Sequence, residues 1–90
     1  MSRAEAEAIA VSALATLAGD PERLSRFLDL TGLRPDTIRQ AAASPRFLAA
    51  VLDHVAGDEA LLIETAAGMG VAPERLARAR QILDPELSFE

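Results

Sequence analysis

Apolar positions recur along this chain at three- and four-residue intervals, and single glycines and prolines break the pattern into short segments. Ile9, Ala13, Leu14 and Leu17 fall on one helical face. Leu24, Phe27, Leu28 and Thr31 form a second such set, and Phe47, Leu48, Val51, Leu52 and Val55 a third. The period of these sets is helical, and nothing reads as a strand. The punctuation between the sets is equally regular. Ser2 with Glu5 has capping-box spacing, and Gly19 reads as a left-handed stop, so a helix is expected over Arg3 to Ala18. Asp20-Pro21 supplies an N-cap and a first-turn proline for a second helix, ended by Gly32. Pro35 opens a short third helix that ends near Ala43, and Ser44-Pro45 starts a fourth that closes at Gly57. Asp58 caps a fifth, stopped at Gly70, and Pro73 opens a sixth that runs to about Leu83. The predicted fold class is all-α, with six short helices.

The same punctuation occurs twice. Displaced by 38 positions, Gly19-Asp20 falls on Gly57-Asp58, Leu24 on Leu62, Gly32 on Gly70, Pro35 on Pro73 and Ile38 on Leu76. Upstream, Leu14 falls on Leu52 and Leu17 on Val55. Stops, caps, first-turn prolines and apolar positions therefore coincide in a single register. The expectation is two pseudo-repeated three-helix units, about 8–45 and 46–83, packed as one domain over residues 1–90. Caps and stops draw on few residue types, so convergence of two helical hairpins on one punctuation remains the alternative. An acidic tail, 84–90, follows, with Leu87 and Phe89 as its only apolar residues. It reads as a frayed end, or as a segment that docks through those two side chains.

Composition narrows the class further. The chain has 90 residues, half of them apolar, with no Trp or Tyr and three Phe. Alanine makes up much of the apolar half, so the core must be thin and its helices close, which suits alanine's high helix propensity. Cysteine is absent, which removes disulfides, thiol nucleophiles and thiolate metal sites, and fits the cytoplasm. Met1-Ser2-Arg3 runs straight into the first helix without a signal-like apolar stretch, and no apolar run approaches the ~18 residues of a membrane span. Every basic side chain other than His54 is Arg, a usage typical of high-GC genomes. The net charge of −5 favours solubility and disfavours a phosphate backbone as partner.

The order and spacing of several segments resemble a known family. These are Ala13-Leu14-Ala15-Thr16-Leu17-Ala18, the run from Asp20 to Leu30, Gly32-Leu33, Phe47 to Asp53, Asp58-Glu59, Gly70-Val71 and Ala77-Arg78-Ala79. Together they resemble the bacterial domain-of-unknown-function family catalogued as thirty-five seventy-two, over nearly the full length. The resemblance implies a short all-α protein and brings no activity, cofactor or site residue with it. Where members often carry aromatic residues, on the segment matching Glu59 to Met69, this chain has Leu61, Leu62 and Ile63.

Little in the chain points to chemistry. His54 is the lone histidine, with Asp53 adjacent and Asp58 one turn on, the spacing of an ordinary helix-surface pair. A catalytic triad needs a base aimed at a nucleophile by a third group, and a transition-metal site needs three or four ligands. Asp20 and Asp58 occupy cap positions, which accounts for them. No glycine-rich phosphate loop is present; Gly68, inside the fifth segment, reads as a point of close helix crossing. The chain is therefore expected not to be an enzyme and to use no cofactor and no metal.

Two function classes remain. Ala66-x-x-x-Gly70-Val71 with Leu76, and Leu28-x-x-x-Gly32-Leu33 with Ile38, have helix-turn-helix spacing, and would make Thr37, Arg39, Gln40, Arg75 and Arg78 groove-facing. Against that reading, acids stand within a turn of many arginines: Glu7 for Arg3, Glu22 for Arg26, Asp36 for Arg39, Glu74 for Arg78 and Asp84 for Arg80. The favoured expectation is a small cytoplasmic protein-interaction or structural module, with nucleic-acid binding as the alternative. Its apolar face would comprise Phe47, Leu48, Val51, Leu52, Val55, Leu61, Leu62 and Ile63, more than one helix can bury, and it would serve a protein partner or a second copy.

Overall fold

The computed structural model describes residues 1–32, 34–37, 40 and 43–83. Among these residues the chain forms α1 (Arg3–Ala18), α2 (Pro21–Thr31), a 3-10 turn (Pro35–Thr37), α3 (Pro45–Ala56), α4 (Glu59–Met69) and α5 (Pro73–Leu83). Among the described residues the class is all-α, with five bounded α-helices where six were expected. The difference concerns the third, expected from Pro35 to near Ala43, which opens as the 3-10 turn and in which Gln40 is helical. There the Thr37 amide donates to the Arg34 carbonyl at 3.0 Å, and the Thr37 hydroxyl donates to the same oxygen at 2.9 Å. An i→i+3 bond reinforced by a threonine side chain favours the tighter helix over α geometry. The expected continuation through Ile38 and Arg39, and the tail with Leu87 and Phe89, lie outside the described residues.

The caps form as their residues dictate. Ser2 Oγ accepts the Glu5 amide and Glu5 Oε1 accepts the Ser2 amide, both at 3.1 Å, which completes the capping box. Asp20 Oδ1 accepts the amides of Glu22 at 3.1 Å and Arg23 at 3.4 Å; Asp58 Oδ1 accepts that of Leu61 at 3.2 Å. Gly32 and Gly70 end α2 and α4 with φ of 75° and 74°, the left-handed region. Behind Gly70, Val71 N–H reaches the Ala66 carbonyl and Gly70 N–H the Ala67 carbonyl, the Schellman pair. Gly19 departs from expectation: its φ is −75°, right-handed rather than left-handed, and Gly57 matches it at −77°. Each of these two glycines stands directly before a capping aspartate, so the chain enters the next helix through a right-handed corner and needs no αL reversal.

Three helices make the body. α1 lies against α5, α3 and α4, and α3 lies against α5 and α4, so α1, α3 and α5 enclose most of the core. Ala6, Ala10 and Ala13 from α1, Val51, Leu52 and Val55 from α3, and Leu76 and Ala79 from α5 are sealed from solvent. Four of these are alanine, which lets the helix axes approach closely. α4 covers one flank through Leu61, Thr65 and Ala66. At its end, a Cβ on Gly68 would lie 3.2 Å from Thr16 Cγ2 of α1, so the glycine does admit a close crossing. α2 is held differently. It meets chiefly α1, and Phe27 is its one buried residue.

Candidate functional site

Most of the apolar face expected from the sequence is inside the protein. Phe47, Leu48, Val51, Leu52 and Val55 of α3 and Leu61 of α4 are buried, and Leu62 is half-buried. Only Ile63 stands out, 51% exposed. The reason is positional: α3 is surrounded by α1, α4 and α5, so more than one of its faces is covered. Large apolar side chains that do meet water are Leu30, 70% exposed, and Val11, 46% exposed.

Two grooves replace that face as candidates. The first is polar, about 510 Å³, and lined by Asp20, Glu22, Arg23, Arg26, His54, Asp58, Ala60 and Leu61. The N-terminal turns of α2 and α4 open into it, each already capped by its own aspartate. Arg23 crosses the groove, with Nε 3.2 Å from Asp20 Oδ2 and a terminal nitrogen hydrogen-bonded to Glu64 of α4. His54 stands at its floor, its ring edge-on to Phe27 with centroids 5.0 Å apart. Burial lowers the His54 pKa from its ordinary 6.5; Asp58 and Asp53 oppose this, while nearby Arg26 adds to it. The imidazole is consequently neutral at pH 7. No hydroxyl nucleophile lines this groove, so His54 has no partner to activate there. Among the described residues, no cluster of three His, Cys, Asp or Glu side chains could hold a metal ion.

The second groove is apolar, about 400 Å³, and runs between α1 and the α4–α5 corner. Ala8, Ser12 and Ala15 form one wall, at the i, i+4, i+7 spacing of a single helix face, and Met69 and Val71 form the other. Arg75 closes one end, its guanidinium 3.9 Å from Glu5. Val11 adjoins this wall on the same face of α1. Sequence reading missed this surface because small residues on α1 look like core packing. The available signal was that α1 is largely apolar beyond Glu7, more than a single packed face needs.

The basic residues are scattered. Arg3 pairs with Glu7 as its spacing suggested, at 3.6 Å. Arg80 pairs with Asp53 of α3, at 2.9 Å, and Arg34 is beside Asp36, at 3.4 Å; the expected partners Asp84 and Arg39 lie outside the described residues. Arg26 and Arg78 make no ion pair among the described residues, so the expected partnerships with Glu22 and Glu74 are not formed. Arg78 lies on an open shelf of about 640 Å³ along α5, with Met1, Glu74, Ala77, Gln81 and Ile82. Of the other groove-facing candidates, Thr37 donates its hydroxyl to its own turn, and Arg39 lies outside the described residues. Nothing in this arrangement favours a nucleic-acid face, since among the described residues no stripe of unpaired cations lines a helix.

These features define a small all-α protein with two surface grooves and no assembled reaction centre among the described residues. Residues 3–86 match the family model described as Protein of unknown function (DUF3572), and the chain belongs to that family. No curated protein and no solved structure matches it. Among the described residues, no helix is long and apolar enough to cross a membrane.

Proposed function

We propose that this protein is a cytoplasmic interaction module that acts by binding rather than catalysis, and that its apolar α1 groove receives an amphipathic helix of a protein partner. The observation that carries the reading is the wall of Ala8, Ser12 and Ala15 facing Met69 and Val71. Small residues at helical spacing let a second helix approach closely, and the methionine can repack around different apolar anchors. Val11, already 46% exposed, extends the apolar strip, and Arg75 at the rim suits an acidic residue on the incoming helix. The excess of 14 acids over 9 bases disfavours nucleic acid as the occupant. The matched punctuation at a 38-residue spacing supports a construction from two related helical units.

A photo-crosslinking residue placed at Val11 tests this in cells, with the same probe at Leu30 as a comparison. The expected result is a discrete partner captured at Val11 and not at Leu30, whose binding is lost on Ser12→Arg while helicity is kept. Capture of a second copy of the chain, or binding that survives Ser12→Arg, would overturn the assignment. So would low-micromolar binding to duplex DNA that weakens with salt and disappears in an Arg75→Ala/Arg78→Ala variant.

A further inference from the structure

α2 is the least embedded helix of the protein. Its burial centres on one ring: Phe27 is fully buried, while Leu24 and Leu28 are only half-buried and Leu30 is 70% exposed. Two rings of α3 receive it. Phe47 lies 5.9 Å away at 66° and His54 lies 5.0 Å away at 63°, both edge-to-face. Phe47 cannot change its character, whereas the imidazole can. The body formed by α1, α3 and α5 also seals alanine, valine and leucine side chains among its own helices.

We propose that His54 latches α2 to the body of the protein, and that protonation of its imidazole releases this helix while the three-helix core remains folded. The charges around the ring set the direction. From α2, Arg26 approaches His54 without an ion-pair partner among the described residues, so a second positive charge is repelled by the helix being held. Arg23 of α2 is occupied by Asp20 and by Glu64 of α4. Glu22 lines the same groove from the first turn of α2. The acids that favour the imidazolium belong to the other side. Asp53 is on α3 itself and is held by Arg80 of α5, and Asp58 caps α4. Protonation therefore draws the imidazole toward Asp53 and Asp58 and away from α2. Burial against Phe27 disfavours the charged form in the docked state, so docking and proton binding compete.

The sign of the linkage follows. The docked state holds the His54 pKa below 6.5, whereas an imidazole freed from Phe27 titrates near its ordinary value. The undocked state thus binds the extra proton at His54, and the docking of α2 weakens as pH falls through 6.5 toward the docked-state value. Well above 6.5 both states are neutral and docking is at full strength.

Hydrogen exchange followed by mass spectrometry at pH 7.5 and 5, corrected for intrinsic exchange rates, tests the latch on the full chain. Amides of α2 are expected to lose protection several-fold at the lower pH, while those of α3 and α5 keep theirs. His54→Phe retains a ring against Phe27 and should abolish the dependence; Arg26→Gln, on the solvent side, should reduce it without altering the core. A proton NMR titration of the imidazole should give a midpoint below 6.5. Unchanged α2 protection, equal loss in all helices, dependence that survives His54→Phe, or a midpoint at or above 6.5 would each overturn the proposal.

Discussion

α2 and α4 are built to one plan and attached by opposite means. Both run 11 residues from a capping aspartate to a left-handed glycine, and the backbone angles at Asp20 (φ −122°, ψ 104°) and Asp58 (φ −130°, ψ 111°) nearly coincide. Counting from the cap, Phe27 corresponds to Thr65, and both are buried. Leu30 corresponds to Gly68, and here they part: the leucine is mostly in water while the glycine lies against Thr16 of α1. α4 carries small side chains at its contact and comes close to its neighbour. α2 carries a phenylalanine and reaches its neighbours with the ring. The caps fix where a helix begins and ends, and side-chain size fixes how near it lies.

Substitutions at matched positions separate these two modes. The largest effect is expected at Phe27→Ala, a loss of about 3–5 kcal/mol in denaturant titration, because the ring has no substitute within α2. Thr65→Ala should cost only about 1 kcal/mol, the worth of one buried methyl group. If the two losses were equal, the single-ring attachment of α2 would be wrong. Gly68→Leu should come next. Overpacking against Thr16 costs about 1–3 kcal/mol, partly offset by about 1 kcal/mol of helix propensity. A stabilised Gly68→Leu would mean that α4 does not approach α1 closely.

Smaller effects test the punctuation. Gly32→Ala and Gly70→Ala should each lose about 1–2 kcal/mol, since both backbones are left-handed. Gly19→Ala should be neutral or gain about 0.4–1 kcal/mol, because its φ is −75° and an added Cβ meets nothing closer than 3.4 Å. Thermal unfolding of the three variants distinguishes the two kinds of stop. Last, Asp20→Ala and Asp58→Ala should each cost about 0.5–2 kcal/mol. Asp20 should be the larger, as its carboxylate accepts two amides and faces Arg23 where Asp58 accepts one.

The sequence by itself determined where the α-helices begin and end. Ser2, Asp20, Ser44 and Asp58 cap the starts, and Gly32 and Gly70 the stops, because capping is a local matter of one side chain and the next three amides. It also determined that Phe47, Leu48, Val51, Leu52 and Val55 share the apolar side of α3, since their spacing is helical. Three things were decided only by tertiary structure. Handedness at Gly19 depended on the direction in which the next helix leaves, which no residue type specifies. The sealing of Phe47, Leu48, Val51, Leu52 and Val55 depended on how many neighbours surround α3: periodicity tells which side chains share a face, but not whether one, two or three helices meet them. The partnership of His54 with Phe27 joins residues far apart in the chain, so a histidine legible only as a neighbour of Asp53 and Asp58 became the seat of a buried ring. The physical reason is common to all three. Local signals act within a turn of helix, whereas burial and long-range contact arise from packing whole helices against one another.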